Sequence, residues 1–201
     1  MIFSPARLVV LALAVLCAAP AVARAGQPTD DLKSYIDRVI TILEDPAMKG
    51  PTHTPERQHA IEVVANDGLD LPEAARRTLA GYWDARTPAE QKKFTELFTA
   101  LIYGSYLIRV SHYSGERVAF DGESVNGNEA VVRARVIATD GDVTPVEFRL
   151  VRNGGEHWKV WDAAFEGMSL VGNYRAQFGR IMQRGSFADL VKRLESRPQP
   201  K

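Results

Sequence analysis

The feature that most constrains this chain is an abrupt change of hydrophobic period at Gly115: before it apolar residues recur every three or four positions, and after it they alternate. The first spacing gives a helix one apolar stripe, and the second gives a strand one apolar face. Val118 and Phe120 open the alternating part, Asn126-Gly127-Asn128 supplies a tight turn, and Val132, Ala134, Val136 and Ala138 then alternate with Arg133, Arg135 and Ile137. Asp140-Gly141 and Asn153-Gly154-Gly155 are two further turns, with Val146, Phe148 and Leu150 between them and Trp158 to Phe165 after them. Strands joined by turns this short pair with their chain neighbours in antiparallel fashion, so the region reads as a four-stranded meander with one apolar face and one wet face.

Helices bracket the meander. Leu32, Tyr35, Ile36, Val39, Ile40 and Leu43 follow helical spacing, with Thr29 or Asp30 as cap and a stop before Pro46. Thr54 with Pro55 starts a second helix, and Pro72 to Tyr82 reads as a third. Thr87-Pro88-Ala89-Glu90 is a capping box, and the helix behind it gathers Phe94, Leu97, Phe98, Leu101, Ile102, Ser105 and Tyr106 on one face. Leu170 to Met182 is helical, and Ser186 with Asp189 caps a last short helix. Helices, then a meander, then helices, with no repeat or linker, give an α+β fold: helices packed on one face of a curved four-stranded antiparallel sheet.

The amino-terminal residues read differently. Arg7, the apolar run Leu8 to Ala19 and Ala23-Arg24-Ala25 make residues 1–25 an expected signal peptide, leaving residues 26–201 as a single exported domain. The sole cysteine, Cys17, falls inside that leader, so no disulfide framework or cysteine zinc site is expected. With 25 basic and 25 acidic residues the chain lacks the cationic excess that phosphate backbones require, and no nucleic-acid partner is expected. No two of the four histidines stand four apart, and phosphate-loop and nucleophile-elbow motifs are missing, so neither a metal nor a cofactor is implied.

Two features could carry function. Asp162, on the same side of a regular strand as Trp158 and Val160, could transfer protons from an apolar pocket, although a strand-end carboxylate ordinarily accepts backbone or Arg hydrogen bonds. The stripe of Phe94, Phe98 and Tyr106 is expected to face Val132, Val136, Phe148 and Trp158. That arrangement is either a filled core or, given the room left by Ala134 and Ala138, the wall of an apolar cavity.

The run Trp158-Lys159-Val160-Trp161-Asp162, followed by Glu166-Gly167-Met168-Ser169-Leu170-Val171-Gly172-Asn173-Tyr174-Arg175-Ala176-Gln177-Phe178, resembles the MlaC or toluene-tolerance family of periplasmic phospholipid-binding proteins. Tyr82-Trp83, Thr87-Pro88, Ser105-Tyr106, Tyr113-Ser114-Gly115-Glu116 and Pro145-Val146-Glu147-Phe148-Arg149-Leu150 agree with it in order, so the resemblance spans about Asp31 to Leu194. It implies a nuclear transport factor 2-like cone with a lipid cavity, periplasmic and non-enzymatic, whose ligand is a phospholipid and which needs no cofactor. It also implies transfer of lipid between an outer-membrane lipoprotein complex and an inner-membrane ABC transporter with a ring-forming substrate-binding subunit, maintaining outer-membrane lipid asymmetry. Carried onto this sequence, the cavity lining is Phe94, Phe98, Leu101, Tyr106, Val132, Val136, Phe148, Val160, Tyr174 and Phe178. Tyr174 and Arg175 would stand near the mouth, with Arg175 meeting a lipid phosphate or pairing with Glu166 or Asp162. Ala163, Ala164 and Phe165, and the placement of Gly81 after Leu79-Ala80, depart from the family pattern and bear on pocket volume. A hopanoid-associated lipid carrier, and a small cone-fold enzyme using Asp162, are the alternatives.

Overall fold

The computed structural model describes residues 27–107, 110 and 113–197, so the expected leader, residues 1–25, lies outside the described residues. Strands β1 (Arg117–Asn126), β2 (Glu129–Ile137), β3 (Val143–Val151) and β4 (Lys159–Phe165) form the expected meander, joined by a two-residue β5 (Met168–Ser169) in the order β1-β2-β3-β4-β5. The fifth strand follows from the turn at Glu166 (φ 49°) and Gly167 (φ 81°), whose left-handed backbone folds Met168 back onto Phe165. Across the ladder Val132 stands opposite Phe148, Ala134 opposite Val146, and Leu150 opposite Val160, which collects the apolar side chains on one inner face.

Two irregularities curve the sheet. One lies at Phe120/Gly122 in β1, where Gly122 has φ 129°, and the other at Arg149/Leu150 against β4. The second changes a sequence expectation. Val160 pairs with Leu150 but Asp162 pairs with Arg149, so the extra residue between them turns Asp162 away from the face that Val160 occupies. Asp162 is therefore not on the side of Trp158 and Val160.

The helices are α1 (Pro28–Glu44), α2 (Thr54–Gly68), α3 (Leu71–Leu79), α4 (Pro88–Ile102), α5 (Leu170–Arg184) and α6 (Phe187–Glu195). Both expected capping boxes form, at Thr87 with Glu90 and at Ser186 with Asp189. The cap expected for α1 does not, because the helix begins at Pro28 and puts both Thr29 and Asp30 inside its first turn. Thr29 donates through N and Oγ1 to the Glu123 carboxylate of β1. Thr54 lies inside α2, after a 3₁₀ turn at Pro51–His53. In α3, Asp70 accepts from the Glu73 N–H at 2.9 Å, and the helix ends at Leu79 in a 3₁₀ turn, Ala80–Tyr82. Gly68 permits the close approach of α2 to α1, since a Cβ there would stand 2.7 Å from the Tyr35 ring.

The apolar side chains divide into two clusters. One is almost wholly helical: Phe94 and Phe98 of α4 meet Tyr174 and Phe178 of α5, with Leu79 of α3 and Phe187, Leu190 and Leu194 of α6. The other joins α1 to the inner face of the sheet through Leu32 and Ile36 against Ala130, Val132, Leu150, Trp158 and Val160.

A charged cluster ties α3 to the sheet. Glu73 receives both Arg76 and Arg77, and Arg77 reaches on to Glu129 at the start of β2. Hydrogen bonding from Arg76 foremost, against the opposing effect of burial and with help from Arg77, lowers the Glu73 carboxyl from 4.5 to about 2. A depressed carboxyl stabilises the fold above its unfolded value and loses that contribution as pH falls toward its folded value. Thermal unfolding should therefore show Glu73→Gln less stable than the parent at neutral pH, with the gap closing between about pH 4.5 and about pH 2. A gap that persists unchanged at the acid end contradicts this reading.

Candidate functional site

The inner face of the sheet and the helix that crosses it define the candidate site. At one end of α1, Thr29 is held by Glu123 near the end of β1, and Asp31 accepts the Trp158 N–H at 2.8 Å. At the other end, the Tyr113 hydroxyl, just ahead of β1, donates to Glu44 at 3.1 Å. The helix thus runs the length of the inner face, antiparallel to β1. Its first half is packed tightly, with Val132 and Leu150 0% exposed and Leu32 3% exposed.

Its second half is not packed in the same way. Val39, Ile40 and Leu43 of α1, and Val118, Phe120, Val136 and Phe148 of the sheet, are all only half-buried although they point inward. Partial solvent access along this half sets it apart from the filled first half, where the core side chains are closed off. The rim is polar. Tyr103, in the widened helical turn Tyr103–Leu107 that follows α4, donates from its hydroxyl to Asn66 of α2 at 2.7 Å.

The sequence-derived lining set falls on both clusters instead of one. Val132 and Val160, with Phe148 beside them, belong to the sheet face under α1, and Val136 continues that face toward its open end. Phe94, Phe98, Tyr174 and Phe178, with Leu101 and Tyr106 packed against them, form the separate helical cluster. Phe98 stands 5.9 Å from Phe94, 5.8 Å edge-on from Tyr174 and 6.4 Å from Phe178, ring centroid to ring centroid. The expected confrontation of Phe94, Phe98 and Tyr106 with Val132, Val136, Phe148 and Trp158 is replaced by two adjoining layers. The physical reason lies in the aromatic rings of α4 and α5, which satisfy one another edge to face.

Asp162 has a structural occupation. Its carboxylate, 0% exposed as a side chain, accepts from Arg149 Nη1 at 2.8 Å, Ser169 Oγ at 2.6 Å and the Val171 N–H at 3.0 Å. Ser169 in turn accepts the Gly172 N–H, so Asp162 and Ser169 together hold the first turn of α5 to β4. Trp161, beside the same irregularity, lies 3.9 Å below the Arg77 guanidinium. Arg175 forms the expected pair with neither Glu166 nor Asp162: it donates to the Arg77 carbonyl at 2.9 Å, and Arg149 is the cation that Asp162 uses. Arg149 reaches Asp162 because the two are register partners, which sequence distance does not reveal.

The family model for the MlaC protein matches residues 33–196, from the first turns of α1 through α6. The chain belongs to the MlaC family. Relatives of this MlaC-family chain include the intermembrane phospholipid transport system binding protein MlaC of Haemophilus influenzae, 25% identical over 147 residues, covering 69% of this chain and 68% of that protein. The toluene tolerance protein ttg2D of Pseudomonas putida is 30% identical over 110 residues, covering 54% of this chain and half of that one. Among solved structures, a phospholipid-binding protein from Ralstonia solanacearum, determined with a phospholipid, superposes with a TM-score of 0.74 at 22% identity, over 85% of this chain and 96% of that one. The MlaC fold is thus shared along nearly the whole described length. Among the described residues no cluster of His, Cys, Asp and Glu is arranged to hold a metal, and no helix is long and apolar enough to cross a membrane.

Proposed function

We propose that this chain is a periplasmic lipid carrier whose cavity lies between α1 and the inner face of the sheet, with residues 26–201 forming one phospholipid-binding domain after removal of the leader. The observation that carries the reading is the half-buried apolar end of that face, Val118, Phe120, Val136 and Phe148 below Val39, Ile40 and Leu43. Membership of a family with phospholipid-transport relatives supplies the ligand class. Two acyl chains in water expose apolar surface at about 25 cal/mol per Å², so a carrier must cover them during transit and release them on contact with a membrane complex. An outer-membrane lipoprotein complex and an inner-membrane ABC transporter with a ring-forming subunit are the partners between which it would pass lipid.

Among the proposed lining residues, Val136 and Phe148 contact the acyl chains, and Val132 and Val160 close the packed end of the face under the first half of α1. Phe94, Phe98, Leu101, Tyr106, Tyr174 and Phe178 form the helical wall behind them, and Arg175 fixes α5 to the end of α3. The test is Val136→Trp, which places an indole at the open end of the inner face. Lipid extracted from the purified variant should fall about tenfold or more relative to protein, the equivalent of about 1.4 kcal/mol, while circular dichroism and melting temperature stay near the parent's. Parental lipid content in a folded Val136→Trp protein would place the ligand elsewhere.

A further inference from the structure

A groove of about 730 Å³ lies between α5 and α6, distinct from the inner face of the sheet. Arg180 and Arg184 of α5, Lys192 and Arg193 of α6, and Arg197 just beyond it all line this groove and are all exposed. Arg180 and Arg184 are one helical turn apart and so share a face. The single acid in the lining, Asp189, accepts from the N–H and hydroxyl of Ser186 in the capping box of α6 and, facing Lys192 and Arg193, offsets one of the five positive charges. None of the five cations makes a salt bridge among the described residues, whereas Arg76, Arg77, Arg135 and Arg149 each do. The chain as a whole has 25 basic and 25 acidic residues, so this net positive excess is local.

We infer that the α5/α6 groove is a docking face for an anionic phospholipid bilayer surface. Protein partners are usually anchored by a buried apolar or aromatic hot spot. Here the apolar residues beneath the groove, Phe178, Leu190 and Leu194, are 2%, 0% and 3% exposed and already serve the protein's own core. None of the exposed large apolar side chains, Val63, Val125, Val143, Phe165 and Met168, stands on α5 or α6. What the groove offers is a set of guanidinium groups and one ammonium on long, unpinned stems, a chemistry that matches the phosphates of fluid head groups. Attraction of this kind falls with salt as the Debye length shortens.

The experiment is co-sedimentation of the purified full-length mature protein with vesicles of phosphatidylcholine alone and of phosphatidylcholine with phosphatidylglycerol, at low and high salt. Binding should appear only on the anionic vesicles and weaken with salt. Arg184→Glu/Arg193→Glu/Arg197→Glu should lower the partition coefficient by about tenfold or more, and Lys49→Glu/Arg117→Glu/Arg133→Glu, an equal charge change elsewhere, should lower it much less. Equal binding to both vesicles, or equal losses in the two triple variants, overturns the proposal. Retention on immobilised polyglutamate without binding to anionic vesicles also overturns it, assigning the groove to an acidic polypeptide. The proposal does not depend on the cavity: lipid extracted from each variant is read separately, and co-purified lipid persisting in the groove variant separates the two sites.

Discussion

Replacing Asp162 with Ala should lower the folding stability by about 3 kcal/mol, within the range for removing one member of a buried charged pair and discounted for the partial exposure of Arg149. Three donors lose their acceptor at once: Arg149 Nη1, Ser169 Oγ and the Val171 N–H. The buried N–H and the guanidinium are costly to strand, and the first turn of α5 loses the carboxylate that offsets its dipole. Asp162→Asn should cost less, because an amide oxygen can still accept one bond. Urea unfolding monitored by circular dichroism measures both. A loss under about 1 kcal/mol for Asp162→Ala would mean that α5 is not held by this carboxylate. The same pair of variants addresses the enzyme reading, since a carboxylate committed to three structural donors has no free lone pair aimed into the inner face, from which the irregularity in β4 has turned it away.

Phe98→Ala should be the other large effect, about 3 to 5 kcal/mol, the range for deleting a buried aromatic ring. Phe98 is 1% exposed and touches three other rings, Phe94, Tyr174 and Phe178. Edge-to-face pairs add to the area term, and a ring surrounded by rings leaves a cavity that its neighbours cannot easily close. Phe98→Leu should recover more than half of the loss by refilling most of the volume. If lipid occupied the space around Phe98, added phospholipid would rescue Phe98→Ala in thermal unfolding. The separation of the two clusters leads us to expect no such rescue.

The course of the chain was legible where local chemistry decides it. Alternation from Val118 to Phe165 and the turns at Gly127, Gly141 and Gly154 specify a meander, and two capping boxes mark α4 and α6, because each signal acts within a few residues. What escaped were outcomes set across the sheet. The irregularity opposite Arg149 adds one residue to β4 without any turn residue to announce it, and it reverses the side on which Asp162 stands. Thr29 was readable as a cap but not as the partner of Glu123, 94 residues away. The lining set named Val132, Val136, Phe148 and Val160 of the inner face but omitted Val118 and Phe120 of β1 and Val39, Ile40 and Leu43 of α1, which share that face. Hydrophobicity alone could not separate those under α1 from those that α4 and α5 pack against one another.

An apolar molecule should occupy the space under the second half of α1. Native mass spectrometry of the mature protein, as purified and again after incubation with excess phospholipid, tests it directly. The expected species is heavier than the bare chain by the mass of one phospholipid, released on activation as an intact lipid whose own mass distinguishes it from a polycyclic hopanoid. A bare chain in both samples, from protein whose circular dichroism shows it folded, would contradict it.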